Sequence, residues 1–135
     1  MALVVDASVA IKWFVEEPGA NRARSLWENR GGLVAPDLLV PEVCSAMWRK
    51  VRLGQAMPDQ ATEATNRLRA ALIDLRPTAA LATRAMAIAL DLDHPVYDCF
   101  YLALAEIEQN AMVTADQRLL TRLSGSKLAA LAEPL

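Results

Sequence analysis

The chain has 135 residues, of which 54% are hydrophobic, 22% charged and 5% aromatic, and its 14 Lys and Arg against 16 Asp and Glu give a formal charge of −2. A chain of this length usually folds as one domain, and its apolar content excludes intrinsic disorder. The near-neutral charge neither favours nor excludes a nucleic-acid partner.

The sequence carries no signal of export or membrane insertion. Cys44 and Cys99 lie in apolar stretches, without the paired spacing of a disulfide framework or a zinc site. Asp6 interrupts the apolar start, and no uncharged run reaches the ~18 residues that span a bilayer. We therefore expect a reduced, soluble, cytoplasmic protein.

Short apolar runs alternate with longer segments that end at glycine or proline. The predicted strands are Leu3–Val5, Leu33–Ala35, Asp74–Pro77, Ala111–Thr114 and Leu128–Leu131. The predicted helices are Ala7–Val15, Ala20–Arg30, Leu39–Leu53, Pro58 to about Ile73, Ala79–Leu92, Val96–Gln109 and Gln117–Ser124. Because the strands lack the polar alternation of a one-sided sheet, we predict a three-layer α/β fold with a parallel sheet covered on both faces.

Common catalytic signatures are absent from the sequence. It contains no phosphate-binding P-loop, dinucleotide-binding glycine motif, serine elbow or zinc-protease helix motif. The single histidine, His94, precedes Pro95 in a predicted turn and is interpreted as a plain loop residue. Histidine-based acid–base or metal chemistry is therefore not expected.

Four carboxylates fall at one predicted edge of the sheet. Asp6 ends the first strand and Asp116 follows the fourth, while Glu42 and Asp98 lie in the first turns of helices. The carboxyl ends of parallel strands form the edge at which ligands bind. Taken singly, each acid is better explained structurally, Asp6 and Asp116 as helix N-caps and Glu42 and Asp98 as first-turn acids that complement the helix dipole.

Asp98 is the hardest of these acids to explain structurally, because it is the only charge between Val96 and Ala105. A carboxylate on so apolar a helix is costly unless it is paired. Converging acids would need protons or cations, and an oxygen-only cluster suits Mg²⁺ or Mn²⁺ and phosphodiester chemistry. Ser8 and Thr114 offer hydroxyls at the same edge, although such hydroxyls commonly bond only to nearby backbone.

Together these residues resemble the PIN-domain ribonucleases, specifically toxins of the VapC type. The stretches that carry the resemblance are Val4–Ala10, Pro41–Val43, Tyr97–Ala105 and Thr114–Asp116, in the expected order along the whole chain. The resemblance implies a single domain, residues 1–135, with a twisted parallel sheet of four or five strands between helices. Cys99 and Phe100 stand where smaller or aliphatic residues are common, but these are packing positions.

The same resemblance implies an endoribonuclease that cleaves RNA with Mg²⁺ or Mn²⁺, forms a homodimer and is held inactive by a small antitoxin. By resemblance, the metal-binding and catalytic carboxylates are Asp6, Glu42, Asp98 and Asp116, with Ser8 and Thr114 as hydroxyl partners. Our hypothesis is that the three aspartates hold one or two metal ions. Glu42 then completes the metal shell or orients the attacking water.

Contacts with RNA and antitoxin are predicted from basic and aromatic residues on the first helices. The RNA-binding candidates are Arg22, Arg24, Arg30, Arg49, Lys50 and Arg52, each of which is equally well explained as part of a solvated face. The three tryptophans are Trp13, Trp27 and Trp48. Core packing is their default interpretation, and the alternative is a groove for the antitoxin.

Three other classes of protein remain open. A receiver domain is a non-catalytic switch with an acidic Mg²⁺ site, but it needs an Asp after the third strand, where this chain has Arg76, Pro77 and Thr78. A phosphatase with paired aspartates is disfavoured because Ser8 takes the second position. A degenerate PIN domain that binds RNA or a partner without cleavage is the third alternative.

Overall fold

The structure is a computed structural model that describes residues 2–29, 32–70 and 73–135, with only the backbone of Asn29. Within these ranges the chain forms a five-stranded sheet of order β3-β2-β1-β4-β5, in which every neighbouring pair of strands is parallel. The strands are β1 (Leu3–Val5), β2 (Leu33–Pro36), β3 (Ile73–Arg76), β4 (Met112–Thr114) and β5 (Ala132–Pro134). The predicted parallel sheet of four or five strands is confirmed.

Seven α-helices in the described ranges flank the sheet. They are α1 (Ala7–Ala10), α2 (Ala20–Asn29), α3 (Leu39–Arg52), α4 (Pro58–Ala70), α5 (Ala82–Leu92), α6 (Val96–Glu108) and α7 (Gln117–Leu123). Short 3₁₀ turns occupy Ile11–Trp13, Thr78–Leu81 and Ala129–Leu131. The predicted three-layer α/β/α class is confirmed.

The middle of the sheet is the most apolar part of the molecule. All residues of β1, β2 and β4 are buried, as expected for parallel strands covered on both faces. Helix α6 packs against β1 and β2 and is itself covered by α5. The core is aliphatic, as the composition predicts, and Tyr101 and Trp13 are the aromatic residues buried within it. None of the helices in the described ranges is long and apolar enough to cross a membrane.

The outer strands of the sheet are less apolar than its middle. In β3, the Arg76 guanidinium bonds Asp74 at 2.9 Å and also bridges to Glu108 on α6 at 3.1 Å. Strand β5 contains Glu133 and ends at Pro134, which fits an edge position because proline cannot donate a hydrogen bond to a further strand. Both edges of the sheet therefore carry charge or proline.

The last predicted strand is wrong in its position. Leu128–Leu131 does not pair with the sheet; Ala129–Leu131 forms a 3₁₀ turn, and the strand is Ala132–Pro134. The physical reason is that Leu128 and Leu131 pack against the core, partly buried, while Ala132 lies in register with Met112 of β4. The apolar run therefore predicts a strand close to its true position in the sequence, but the run itself does not adopt the strand conformation.

Other predicted boundaries differ by a few residues. The first predicted helix is a four-residue α1 followed by the 3₁₀ turn Ile11–Trp13, and the helix predicted from Ala79 begins at Ala82 after a 3₁₀ turn. Ile73, predicted at the end of the fourth long helix, is instead the first residue of β3. The predicted end of the second helix at Arg30 and the following Gly31 lie outside the described residues, as do residues 71 and 72.

Candidate active site

Asp6 lies at the centre of the carboxyl edge of the sheet. Val5 is in register with Val113, so the next residues on the two strands, Asp6 and Thr114, come side by side. The Thr114 hydroxyl donates to Asp6 Oδ2 at 2.6 Å, and the Ser8 hydroxyl donates to Asp6 Oδ1 at 2.6 Å. Only 5% of Asp6 is exposed. Within the described residues the third bond to this buried carboxylate comes from the Val9 N–H at 3.2 Å, so all three donors are neutral.

The two hydroxyls also connect Asp6 to the loop that carries Asp116. Ser8 Oγ accepts from the Ala115 N–H at 2.9 Å, and Thr114 Oγ1 accepts from the Asp116 N–H at 3.0 Å. Asp116 Oδ1 then accepts from the N–H groups of Arg118 and Leu119, at 2.9 and 3.4 Å. Asp6 and Asp116 are thus the N-caps of α1 and α7, as the structural interpretation of each residue predicted.

Glu42 is held by a buried tyrosine from another helix. The Tyr101 hydroxyl donates to Glu42 Oε1 at 2.6 Å, and Tyr101 is only 1% exposed. A phenol in the core normally finds a hydrogen-bond partner, and here the partner is a predicted site carboxylate. Tyr101 was not among the site residues predicted from the sequence, although its spacing of three residues from Asp98 places both side chains on one side of α6.

Asp98 has a partner that the sequence interpretation missed. His94 Nε2 lies 2.7 Å from Asp98 Oδ2, and the imidazole is largely buried. The interpretation of His94 as a plain loop residue is therefore wrong. Pro95 is the N-cap of α6, which places His94 just outside the helix and one turn from Asp98. The spacing of four residues between His94 and Asp98 could have predicted this contact. It was overlooked because a histidine in a turn was assumed to face solvent.

The electrostatics of Asp6, Glu42 and Asp98 are coupled. Burial raises the pKa of Asp6 from 3.8 to about 6; its hydroxyl and N–H donors oppose this rise and the Asp98 charge adds to it. Burial also raises the pKa of Glu42, against the Tyr101 hydrogen bond and again with the Asp98 charge. The pKa of Tyr101 rises strongly because the phenol is buried beside Glu42. This edge therefore concentrates negative charge that neutral donors only partly stabilise.

The site offers the donor chemistry of a hard divalent cation, although its acids are not gathered at one point. In the parts of the chain that the structure describes, no three His, Cys, Asp or Glu side chains are close enough to hold one metal ion together. The donors available are carboxylate and hydroxyl oxygens, which Mg²⁺ and Mn²⁺ prefer. Asp6 fits such an ion because its charge is buried and balanced by no cationic side chain among its hydrogen-bond donors.

Most of the basic residues predicted to bind RNA already have partners within the protein. Arg24 pairs with Glu16 at 2.6 Å and Lys50 with Glu17 at 2.8 Å. The Arg22 guanidinium donates to the Leu135 carbonyl, and the Arg52 guanidinium lies 5.0 Å from the centre of the Trp48 ring. Arg30 lies outside the described residues. Arg49 differs, because it lines a cavity that also contains Ser8 and Glu42.

The three tryptophans have three different environments. Trp13 is 4% exposed and donates its indole N–H to the Ala23 carbonyl at 2.8 Å, so it belongs to the core. Trp27 packs on Trp13 with ring centres 4.5 Å apart and is partly covered. Trp48 on α3 is 59% exposed. The default of core packing thus describes Trp13 fully, Trp27 in part and Trp48 not at all.

Two cavities border the acidic edge. One of about 610 Å³, which we call the Tyr97 groove, is lined by Ser8, Pro41, Glu42, Arg49 and Tyr97, among others. The other, of about 680 Å³, is lined by His94, Pro95, Arg118 and Arg122, among others. Tyr97 in the first turn of α6 lines the first cavity, and His94 and Pro95, which directly precede α6, line the second. Tyr97, Arg118 and Arg122 were not among the residues predicted from the sequence.

Comparison with known proteins places this chain in one family. The pattern of the PIN domain family matches residues 3–125, and the chain belongs to this family. It is 31% identical over 121 residues to Ribonuclease VapC3 of Pyrobaculum aerophilum, which spans 88% of this chain and 92% of that protein. The family that the resemblance of four short motifs predicted is therefore confirmed.

Two solved structures share the fold at lower sequence identity. The crystal structure of PAE2754 from Pyrobaculum aerophilum matches with a TM-score of 0.71 and 22% identity, over 93% of this chain and 81% of that one. A toxin–antitoxin complex from Klebsiella pneumoniae matches with a TM-score of 0.60 and 16% identity, over 94% of each chain. Both matches extend over nearly the whole chain.

Proposed function

We propose that this protein is an endoribonuclease of the VapC type, which hydrolyses RNA phosphodiester bonds with Mg²⁺ or Mn²⁺ and acts as the toxin of a toxin–antitoxin pair. The observation that carries the proposal is the burial of Asp6 at the carboxyl edge of the sheet, bonded by neutral donors and coupled to Asp98. Membership of the PIN domain family and the likeness to a protein named as a ribonuclease support it.

In this proposal Asp6, Asp98 and Asp116 would hold one or two metal ions between them, and Glu42 would complete the site or orient the attacking water. The ion, when bound, lowers the pKa of water and neutralises charge on the phosphate. The protein fixes its carboxylates through neighbouring side chains: Ser8 and Thr114 hold Asp6, Tyr101 holds Glu42, and His94 holds Asp98. These partners set the orientation of each oxygen before substrate arrives.

The partners in this proposal are an RNA substrate, a small antitoxin and a second copy of the chain. Of the three tryptophans, Trp48 and the partly covered Trp27 are accessible to an antitoxin segment, whereas Trp13 acts through packing. Met86 and Leu90 lie one turn apart on α5 and are both exposed, which suits a contact between copies. Arg49 remains the strongest RNA-binding candidate of the predicted set.

The receiver alternative is disfavoured by topology. Receiver domains order their parallel strands 2-1-3-4-5, whereas this sheet has the order 3-2-1-4-5. Asp74 also lies inside β3, and the strand ends at Arg76 without a following aspartate. A phosphoacceptor carboxylate is therefore missing where a receiver needs one.

The test compares the purified protein with its Asp98→Asn variant on a mixed RNA pool, with Mg²⁺ and with EDTA. We expect cleavage by the natural sequence in Mg²⁺ only, and a loss of at least about a hundredfold in the variant. Mutation of a residue that only supports a metal ligand already costs about ten- to a hundredfold, and Asp98 is itself a proposed ligand. The matched control is Asp91→Asn on α5, an exposed aspartate outside the site. Metal-independent cleavage, or full activity of Asp98→Asn, would contradict the proposal.

A further inference from the structure

Tyr97 presents a large aromatic ring to solvent directly beside the acidic edge. It is 61% exposed, whereas Tyr101, one turn further along α6, is 1% exposed. Tyr97 immediately precedes Asp98, whose carboxylate bonds His94. The two tyrosines of α6 therefore have opposite environments. Tyr101 bonds Glu42 from within the core, whereas Tyr97 is exposed to solvent beside the site.

The Tyr97 groove is continuous with the proposed site. Its walls include Ser8, whose hydroxyl bonds Asp6, and Glu42, whose carboxylate bonds Tyr101. Arg49 lies on α3 two turns beyond Glu42 and lines the same groove. A ligand in this groove therefore contacts the edge of the acidic site at one point and a cation at another.

Arg49 is available to bind an anion. Within the described residues its guanidinium has neither an ion pair nor a hydrogen bond, while the neighbouring Lys50 is bound to Glu17. A guanidinium without a partner, close to a cluster of carboxylates, favours the binding of a phosphate. The phosphate would pair with the guanidinium, and a bound metal ion would offset its repulsion by the carboxylates. An aromatic face and a free arginine are the elements by which proteins hold unpaired nucleotides.

We propose that Tyr97 stacks on a nucleobase of the RNA substrate and that Arg49 contacts a backbone phosphate, so that the Tyr97 groove positions the nucleotide next to the bond that is cut. This inference rests on the proposed ribonuclease function and adds a positioning surface to it. A base that stacks on Tyr97 must lie outside a duplex, so the groove selects an unpaired nucleotide at that position.

The test of stacking uses a short unstructured RNA that contains 2-aminopurine, bound to protein in an Asp116→Asn background that does not cleave. The RNA should lose fluorescence on binding when residue 97 is Tyr or Phe, and should keep it with Tyr97→Ala. In the otherwise natural protein, Tyr97→Ala should raise KM for RNA cleavage about tenfold with a smaller effect on kcat. Ile107→Ala is the matched control, because Ile107 is 60% exposed at the other end of the same helix.

The test of the phosphate contact measures RNA affinity as a function of salt. Arg49→Ala should reduce the slope of log K against log salt by about 0.7, the value expected for the loss of one phosphate contact on single-stranded nucleic acid. Arg69→Ala, an exposed arginine on α4 outside the groove, should leave the slope unchanged.

Several results would overturn this inference while leaving the ribonuclease proposal intact. Cleavage with an unchanged KM in Tyr97→Ala, or equal binding of duplex and unstructured RNA, would exclude stacking on Tyr97. Weaker binding of an antitoxin peptide by Tyr97→Ala, with RNA affinity unchanged, would assign the groove to that partner instead. Failure of the ribonuclease proposal itself would show as absent cleavage by the natural sequence, whatever the fluorescence result.

Discussion

Asp6 has two roles that usually oppose one another, because the same side chain connects parts of the fold and carries a buried charge. It caps α1 and joins β1 to β4 through Thr114, yet it is a buried charge without a cationic partner among its hydrogen bonds. Its hydroxyl donors stabilise the ionised form only in part, as the raised pKa of about 6 indicates. The residue thus contributes to connectivity in the fold and carries a charge that a bound cation would stabilise.

The raised pKa of Asp6 predicts that the metal-free protein loses stability as pH rises. The folded state keeps a proton that the unfolded state releases near pH 3.8, so this stabilisation is complete below that pH and is lost as pH rises through about 6. The shift corresponds to roughly 3 kcal/mol. Urea titration in EDTA measures the free energy of unfolding of Asp6→Asn relative to that of the natural protein. This difference should rise by about the same amount as the pH is raised from 4 to 7.5.

Asp91→Asn is the control for this titration, because Asp91 is exposed and lies outside the site. Parallel stability curves for the natural protein and Asp6→Asn would show that folding leaves the Asp6 carboxyl unperturbed.

Residue types at strand ends predicted much of the candidate site. Ser8 and Thr114 were expected as hydroxyl partners, and the structure places both hydroxyls on Asp6. Tyr101 and His94 were missed for different reasons. Tyr101 reaches Glu42 across 59 residues of sequence, a contact that depends on how α3 and α6 are placed. The spacing of His94 from Asp98 did indicate a contact. It was overlooked because His94 precedes a proline and was interpreted as a turn residue.

At the scale of elements, the N-terminus of α7 offers a way to separate capping from metal binding. Asp116 Oδ1 accepts two backbone N–H groups, and an asparagine retains an oxygen that can do the same. Asp116→Asn should abolish cleavage while leaving stability nearly unchanged. Asp116→Ala should abolish cleavage and also lose about 1 kcal/mol of unfolding free energy. Chemical denaturation and the RNA assay measure the two effects on the same samples.

An Asp116→Asn variant that cleaves normally would remove Asp116 from the metal site and leave it as a cap alone. Equal stability of the Asn and Ala variants would instead show that the cap contributes little to α7.

Element type was more predictable than element boundary. Strands β1, β2 and β4 were found from short apolar runs, because full burial on both faces leaves no polar residue within them. The last strand was misplaced because Leu128 and Leu131 pack against the core, partly buried, from a 3₁₀ turn and its N-cap, and apolar packing alone does not distinguish a turn from a strand. The Ala79 boundary failed similarly, since alanine fits both the turn and α5.

At the scale of the whole molecule, metal binding should couple to stability. An ion that binds only the folded state raises the free energy of unfolding by an amount that grows with its concentration relative to Kd. Mg²⁺ should therefore raise the melting temperature of the natural protein at pH 7.5, and raise it less at pH 5, where Asp6 is mostly protonated given its pKa of about 6. Differential scanning fluorimetry of the natural protein and Asp98→Asn provides the measurement.

The Asp98→Asn variant should lose most of this thermal shift, and replacing MgCl₂ by NaCl at equal ionic strength controls for general salt effects. An identical shift in both proteins would mean that Mg²⁺ acts by screening the molecule rather than by binding at the acidic edge.

The charged and proline-containing edges of the sheet have a consequence for self-association. Arg76 and Asp74 on β3, and Glu133 and Pro134 on β5, make it unfavourable for a strand from another molecule to extend the sheet. At high protein concentration, these edges thereby disfavour the edge-to-edge association of sheets that leads to fibrils. Any specific assembly must then be built from side chains on the helices, where a single substitution can adjust its strength without altering the sheet.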